Sequence, residues 1–196
     1  MSVLNVAIAG FGTIGSGVAH VLAQHSEHPD AKIKLAGILE RDTQGQFVRS
    51  WFEKNPELFY ESPEQLLEDP DVDVIVETIG GSGFALELII NALQNGKHVI
   101  TANKDLIAVH GAELMAVAQK NGRHLLFEAA VAGAIPVLRL LKDYLHVQDI
   151  QGIRAILNGT TNYILSEMES NDLSFEQALS QAQDLGFAEQ DPTNDI

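Results

Sequence analysis

The feature that most constrains the fold is a glycine-rich loop that follows directly on an apolar segment. Residues 3–9 are short, apolar and rich in β-branched side chains, and the segment Gly10-Phe-Gly-Thr-Ile-Gly15 comes next. An apolar run that ends at glycine predicts a strand buried on both faces. Residues 13–24 then carry apolar side chains at helical spacing. The first 24 residues therefore predict a strand, a tight glycine turn and a helix.

Each glycine of this loop has a separate physical reason. Gly10 allows the tight turn after the strand, Gly12 lets the backbone approach a pyrophosphate, and Gly15 lets the helix pack on the strand. A glycine pattern alone is weak evidence, and a plain glycine loop is the alternative interpretation. Its place between a strand and a helix favours a dinucleotide site.

Strand and helix patterns alternate through most of the chain. Further strands are predicted at residues 32–39, 73–79, 97–101 and 124–129, and helices at residues 62–67, 84–94 and 112–120. Such alternation predicts an α/β fold with a Rossmann-type, doubly wound parallel sheet.

The pattern changes after Gly133. Helices are predicted at residues 135–144, 163–169 and 174–185, a strand at 150–157 and a polar turn at 158–162. We therefore expect a domain boundary here, with residues 1–133 forming the nucleotide-binding domain and residues 134–196 part of a second domain.

Charge and composition exclude several classes of function. The chain has 27 acidic and 12 basic residues, a net charge of −15. An acidic surface repels nucleic acid and anionic membranes, but it does not exclude nucleotides, which bind in local pockets of N–H groups. The absence of cysteine excludes disulfides, thiolate nucleophiles and zinc–sulfur sites. With no basic leader and no apolar run near the roughly 20 residues of a membrane helix, we expect a soluble, cytoplasmic protein.

The end of the second predicted strand carries the residues expected to recognise the adenosine ribose. A carboxylate at Glu40 or Asp42 would accept a hydrogen bond from a free 2′-hydroxyl and favour NAD, whereas the guanidinium of Arg41 would pair with the 2′-phosphate of NADP. Both types stand side by side, so both cofactors remain open. Arg49 is either a second phosphate partner or a surface arginine of a helix.

Two further segments leave the carboxyl ends of predicted strands, where ligands of such sheets bind. Residues 77–81 end in two glycines that could admit a flat nicotinamide ring, and residues 101–105 contain Lys104. A lysine there could polarise a carbonyl or transfer a proton, or it could be a surface charge. The seven histidines show no metal-ligand spacing, although His110 lies near Lys104. No serine, histidine and aspartate order points to a hydrolase.

With these residues in view, the chain resembles homoserine dehydrogenase along essentially its whole length. The matching blocks are GFGTIGSGV at 10–18, ETIGG at 77–81, TANKDLIA at 101–108, EAAVAGAIPV at 128–137, ILNGTTNYIL at 156–165 and GFAEQDPTNDI at 186–196. The resemblance implies an oxidoreductase that uses NAD or NADP to interconvert L-aspartate 4-semialdehyde and L-homoserine, on the route to threonine and methionine. It also implies that residues 134–196 begin an α+β substrate and dimerisation domain.

The resemblance assigns roles to individual residues. The implied cofactor contacts, besides Gly10, Gly15 and Arg41 from the patterns above, are Phe11, Gly12, Thr13, Ile14, Thr101, Lys104 and Gly186. Lys104 is also the implied catalytic group. The implied substrate contacts are Glu189, Thr160 and Asp195. A structural sodium ion is implied at Glu128 and the carbonyl oxygens of Val131, Gly133 and Ile135, and oxygen ligands suit such a hard cation.

Family members continue beyond the position of Ile196, with an aspartate and a proton-donating lysine soon after it. We therefore expect this chain to be a portion of the enzyme that binds NAD(P) and turns over little substrate, because losing one general acid costs about 10²–10⁴-fold. The region that follows carries most of the family's dimer contacts, so we expect exposed apolar surface on residues 134–196. This surface should lead to self-association into a homo-oligomer or to marginal stability. A non-catalytic NAD(P)-binding module is the alternative. Another Rossmann dehydrogenase of amino acids is disfavoured by the blocks at 156–165 and 186–196.

Overall fold

The structure is a computed structural model that describes residues 2–24, 31–45, 47–133, 135–145 and 147–188. The chain divides into two compact units, Met1–Ala130 and Val131–Ile196, close to the predicted boundary.

The first unit alternates strands and helices in chain order. Its elements are β1 (Ser2–Ala9), α1 (Thr13–Gln24), β2 (Ala31–Leu39), α2 (Arg49–Lys54), a 3-10 turn (Pro56–Leu58), β3 (Phe59–Tyr60), α3 (Pro63–Glu68), β4 (Val74–Glu77), α4 (Gly83–Gln94), β5 (His98–Thr101), α5 (Lys104–Lys120), β6 (Leu125–Leu126) and a 3-10 turn (Glu128–Ala130).

The six strands form one parallel sheet in the order β3-β2-β1-β4-β5-β6. This order confirms the predicted Rossmann-type, doubly wound sheet. Strands β2 and β3 lie on one side of β1, and β4 to β6 lie on the other, so the direction of strand order changes between β1 and β4. Ligands of such sheets bind outside the carboxyl ends of the strands at that point. In register, Ala9 of β1 lies beside Glu77 of β4, so the two exits from these strands are neighbours.

Alternate residues of the strands fill two separate cores, one on each face of the sheet. On one face, Ala7, Ile75 and Val99 pack with apolar side chains of α3, α4 and α5. On the other, Ile8 and Ile38 pack with side chains of α1 and α2. Burying one large apolar side chain contributes about 1.5–3 kcal/mol to the free energy of unfolding. Because both faces of the strands are buried, successive strand residues are apolar.

The largest differences from the prediction in the first unit concern α5, β6 and two short elements. Helix α5 begins at Lys104 rather than 112, because the side chain of Asn103 accepts a hydrogen bond from the N–H of Leu106 at 3.1 Å and caps the helix. Strand β6 spans only Leu125–Leu126 instead of 124–129, since the chain turns into a 3-10 turn at Glu128. The short elements α2 and β3 were not predicted, because neither is long enough to show a periodicity.

The second unit contains only helices as regular elements among the residues described. They are α6 (Val137–Arg139), which continues as a π-helical turn (Leu140–Tyr144), α7 (Gly159–Asn171) and α8 (Phe175–Asp184). Ile164 of α7 packs on Ala178 and Ala182 of α8. A capping box opens α8, in which Ser174 and Gln177 exchange hydrogen bonds.

Two predictions for the second unit were wrong. Residues 150–157 do not form a strand; they are exposed, and within the described part of the chain no strand pairs with them, which a strand requires. The predicted polar turn at 158–162 is instead the start of α7. The side chain of Asn158 accepts from the N–H of Thr161 at 2.8 Å, so the helix begins at Gly159.

Across the described residues of both units, no helix combines the length and the apolar character that crossing a bilayer requires.

Lys97 is a buried cation that stabilises the segment before β4. Its side chain is only 4% exposed, and its ammonium group donates to the carbonyl oxygens of Asp69 at 2.5 Å and Val72 at 3.1 Å. Burial lowers the pKa of this ammonium, while the carboxylates of Asp69 and Asp73 partly oppose that change. The interaction closes the loop between α3 and β4 against the start of β5.

Replacing Lys97 by methionine should destabilise the chain by about 1–3 kcal/mol, because one buried and one partly buried carbonyl oxygen lose their donor. The measurement is the midpoint of urea unfolding at an unchanged denaturant slope. Lys34→Met is the matched control, since Lys34 is an exposed lysine in β2. Equal midpoints for the two variants would contradict this role of Lys97.

Candidate functional site

A cleft opens at the carboxyl ends of the strands, next to the point where the chain reverses direction across the sheet. Its volume is about 610 Å³. The lining residues come from the glycine loop, the ends of β2 and β3, and the segment after β4: Gly10, Gly12, Leu39, Glu40, Arg41, Tyr60, Glu61, Pro63, Thr78, Ile79 and Phe84. The cleft is where a doubly wound sheet binds its ligand.

The three glycines of the loop face different surroundings. A Cβ atom on Gly15 would lie 2.0 Å from the carbonyl oxygen of Gly10, and one on Gly10 would lie 2.7 Å from the backbone of Thr78. Gly10 also has a φ of +92°, which disfavours other residues. A Cβ atom on Gly12 would meet no protein atom within 4 Å, although Gly12 lines the cleft. Packing within the protein therefore requires Gly10 and Gly15, whereas the open side of Gly12 leaves room for a ligand.

Thr78 joins the glycine loop to the exit of β4. Its N–H donates to the carbonyl oxygen of Ala9 at 2.8 Å, and its hydroxyl donates to that of Gly10 at 2.8 Å. No sequence pattern predicted this role of Thr78. The feature that could have indicated it is its position directly after a buried strand.

The loop residues Phe11, Thr13 and Ile14 take different positions. The side chain of Phe11 is fully buried and packs edge-on against Trp51, with ring centroids 5.5 Å apart. Only the backbone of Phe11 is therefore placed for a ligand contact. Thr13 and Ile14 are exposed in the first turn of α1, where helix N–H groups have no partners within the helix and attract anions.

Glu40 forms hydrogen bonds that stabilise the glycine loop. One carboxylate oxygen accepts from the N–H of Phe11 at 2.7 Å, and the other accepts from the N–H of Asp42 at 3.0 Å. Arg41 is exposed and lines the cleft. Arg49 pairs with Glu53 at 3.0 Å on the surface of α2, which favours the interpretation of Arg49 as a surface arginine.

Glu77 and Thr101, at the ends of β4 and β5, form a buried polar pair beside the cleft. Both side chains are fully buried. The hydroxyl of Thr101 donates to a carboxylate oxygen of Glu77 at 2.5 Å. The side chain of Thr101 thus contacts its neighbouring strand, although the resemblance implies a cofactor contact for this residue.

Lys104 is the exposed first residue of α5, directly after the cap residue Asn103. The structure thus places this lysine at the same edge of the sheet as the cleft. His110 lies further along α5, and its Nδ1 is 3.2 Å from a carboxylate oxygen of Glu113. This contact makes His110 part of a local pair on the helix.

In the second unit, Thr160 and Gly186 both shape the segment that leads to Glu189. The hydroxyl of Thr160 donates to the carbonyl oxygen of Phe187 at 2.5 Å. Gly186 follows α8 with a φ of +76°, a conformation that favours glycine. Glu189 and Asp195, the other implied substrate contacts, lie outside the described residues.

The residues implied for sodium fall in two units, with Glu128 in the first and the other three in the second. The carbonyl oxygens of Gly133 and Ile135 each accept a backbone hydrogen bond, from Ile135 and Val137. Each such oxygen keeps one lone pair for a cation. No group of three His, Asp or Glu side chains suited to a metal occurs in the described ranges. The sodium site stays a prediction.

Comparison with known proteins identifies the family. The family model described as homoserine dehydrogenase, NAD binding domain, matches residues 10–128, and a second one, described as homoserine dehydrogenase, matches residues 136–196. The chain is 40% identical over 200 residues to the homoserine dehydrogenase of Bacillus subtilis strain 168, and 40% identical over 202 residues to that of Neisseria gonorrhoeae. The chain belongs to the homoserine dehydrogenase family.

Solved structures of this family resemble the chain in three dimensions. A homoserine dehydrogenase from Thiobacillus denitrificans matches 100% of the chain with a TM-score of 0.84 and 38% identity, over 46% of its own length. A hyperthermophilic archaeal homoserine dehydrogenase, solved in complex with NADPH, matches 99% of the chain with a TM-score of 0.78 and 28% identity, over 65% of its own length.

The match covers only part of the curated relatives. All of this chain is covered in both comparisons, but it spans 46% of the Bacillus protein and 45% of the Neisseria protein.

Proposed function

We propose that residues 1–196 provide the cofactor-binding part and the first substrate-binding residues of a homoserine dehydrogenase. The reaction converts L-homoserine and NAD(P)⁺ to L-aspartate 4-semialdehyde, NAD(P)H and a proton, a step that serves threonine and methionine synthesis. One observation carries this proposal: the cleft beside the glycine loop has space on the side of Gly12, where a Cβ atom would meet nothing. Membership of the family supports the reaction.

When bound, NAD(P) supplies the hydride acceptor and donor. The protein's part is to bind and orient. The N–H groups in the first turn of α1 would bind the pyrophosphate, because the N-terminus of a helix carries a partial positive charge. Lys104, exposed at the same edge of the sheet, would stabilise or exchange the proton on the reacting oxygen of the substrate. Thr160 would act by holding the segment that leads to Glu189.

We infer that the cofactor is NADP rather than NAD. Each carboxylate oxygen of Glu40 accepts one backbone hydrogen bond, from Phe11 or from Asp42, so this carboxylate has a structural role in the loops. Arg41 lines the same cleft, and its guanidinium group suits a 2′-phosphate, since arginine forms paired, charge-assisted hydrogen bonds with phosphate. The archaeal relative that was solved with NADPH is consistent with this choice.

Gly12→Ala tests the site directly. The added methyl group should leave the fold intact, because no protein atom lies within 4 Å, but it should obstruct the pyrophosphate. We expect NADPH affinity, measured by fluorescence titration, to fall by about tenfold or more. Gly17→Ala is the matched control: its Cβ also meets no atom within 4 Å, and in the interior of α1 the change should stabilise the helix by roughly 0.5–1 kcal/mol.

The same titration, repeated with L-homoserine present, separates an enzyme from a binding module. Tighter NADPH binding with homoserine, or measurable homoserine oxidation, would support a working substrate site. NADPH binding that ignores homoserine would support the non-catalytic alternative for this polypeptide. Unchanged binding by the Gly12→Ala variant would contradict the proposed pyrophosphate site.

Arg41→Gln tests the cofactor choice. Loss of a charge-assisted hydrogen bond to the 2′-phosphate should weaken NADPH binding by about tenfold, while NADH binding should change little. Arg49→Gln is the control, because that guanidinium pairs with Glu53 on the surface of α2. If Arg41→Gln weakened the binding of NADPH and NADH equally, the result would show that Arg41 does not recognise the 2′-phosphate.

We also propose that the protein forms a homo-oligomer through its second unit. Large apolar side chains there are exposed among the described residues, including Tyr144 at 71%, Val147 at 72% and Ile153 at 59%, and such surface often belongs to an interface. Sedimentation velocity should show association that increases with protein concentration and decreases in an Ile153→Glu variant. A monomer at every concentration would contradict this.

A further inference from the structure

Glu77 is a fully buried carboxylate whose place in the fold is next to the cleft. It is the last residue of β4, and the two residues that follow it, Thr78 and Ile79, both line the cleft. A buried carboxylate loses its hydration, which is unfavourable by several kcal/mol unless hydrogen bonds replace it. An apolar side chain would fill the same space without that penalty. The carboxylate is therefore expected to have a role that packing alone does not provide.

The hydrogen bonds of Glu77 connect two segments that leave neighbouring strands. One oxygen accepts from the N–H groups of Ile79 at 2.8 Å and Gly80 at 3.2 Å. The other accepts from the hydroxyl of Thr101 at 2.5 Å, and that hydroxyl oxygen accepts in turn from the N–H of Asn103 at 3.0 Å. The carboxylate therefore links the turn after β4 to the segment that opens α5.

Asn103 makes a second link between the same two segments. Its amide nitrogen donates to the carbonyl oxygen of Gly81 at 2.7 Å, while its amide oxygen caps α5 at the N–H of Leu106. Gly80 and Gly81 have φ angles of +80° and +69°, and a Cβ atom on either would meet no atom within 4 Å. The hydrogen bonds from Glu77 and Asn103 hold this turn on its inner side.

The segment that opens α5 follows β5, which lies on the far side of β4 from β2. The adenosine half lies at the end of β2, where Glu40 and Arg41 line the cleft. In a doubly wound sheet, the other half of a dinucleotide extends across the crevice towards the strands on the far side of β1, here β4 and β5. Lys104 follows Asn103 directly, so the network also places the start of the helix that carries this lysine.

We propose that Glu77 is a positioning residue for the nicotinamide half of the site. Through Thr101 and Asn103 it fixes the Ile79–Gly81 turn and the first residue of α5 relative to each other. Its carboxylate bonds to Ile79, Gly80 and Thr101 rather than to Glu40 or Arg41 of the adenosine half. The inference rests on the proposed function, because it presupposes a dinucleotide in the cleft.

The test compares two ligands that share the adenosine half. NADPH spans both halves, whereas adenosine 2′,5′-bisphosphate has no nicotinamide half. In Glu77→Gln, the amide nitrogen can only donate, so the hydroxyl of Thr101 loses its charged acceptor and the link is weakened. We expect the dissociation constant for NADPH to rise by about tenfold and that for the bisphosphate to stay within about twofold of wild type. A defect in folding alone would weaken both ligands.

Thr101 provides a second, independent pair of variants. Thr101→Val removes the hydroxyl and should reproduce the selective loss of NADPH affinity, whereas Thr101→Ser keeps the hydroxyl and should bind both ligands like wild type. Combining Glu77→Gln with Thr101→Val should weaken NADPH binding no more than the stronger single change, since both break the same link. If Glu77→Gln does not fold, the Thr101 pair decides the question.

The outcomes separate this inference from the proposed function. Equal weakening of both ligands, or unchanged NADPH affinity in folded Glu77→Gln and Thr101→Val proteins, would overturn the positioning role alone. Failure of the wild-type chain to bind either ligand would overturn the proposed function and this inference with it.

Discussion

The close contact between the glycine loop and the exit of β4 is the constraint on which the site depends. Gly15 lies against the carbonyl oxygen of Gly10, and Gly10 lies against the backbone of Thr78, at distances that no Cβ atom could share. Thr78 secures the contact with hydrogen bonds to Ala9 and Gly10. Because these contacts join β1, α1 and β4 at one place, they set the direction of α1 and leave the cleft open beside its first turn.

The sequence predicted the nucleotide-binding sheet well because its signals are local and repeated. Apolar runs of strand length, each followed by a helical pattern, are sufficient for a parallel sheet. The errors came where the deciding interaction is a single side chain or a distant partner. One amide, Asn103, moves the start of α5 by two turns, and Asn158 makes a helix of a predicted turn. Residues 150–157 have a strand-like composition, but a strand also needs a neighbour.

The position of the cleft at the carboxyl ends of the strands was predicted, but the contacts of individual side chains around it were not. Motif and resemblance pointed to Gly12, Arg41 and Lys104, which the structure leaves exposed at the expected edge of the sheet. They could not show that the side chain of Phe11 belongs to the core or that Thr160 bonds to Phe187. Such facts depend on contacts between residues far apart in the chain, as between the rings of Phe11 and Trp51, or between Thr160 and Phe187, which are 27 residues apart. No local pattern records them.

A net charge of −15 and an anionic ligand are compatible only if the binding forces are short in range. The field of the whole chain repels a dinucleotide phosphate, but salt limits that repulsion to about 8–10 Å. In the proposed site, the partners of the phosphates would be the N–H groups of α1 and the guanidinium of Arg41. The nearby carboxylates of Glu40 and Glu77 accept hydrogen bonds from backbone N–H groups of the protein itself. The acidic residues closest to the site therefore shape it through hydrogen bonds, and a basic surface is not needed to bind the phosphate.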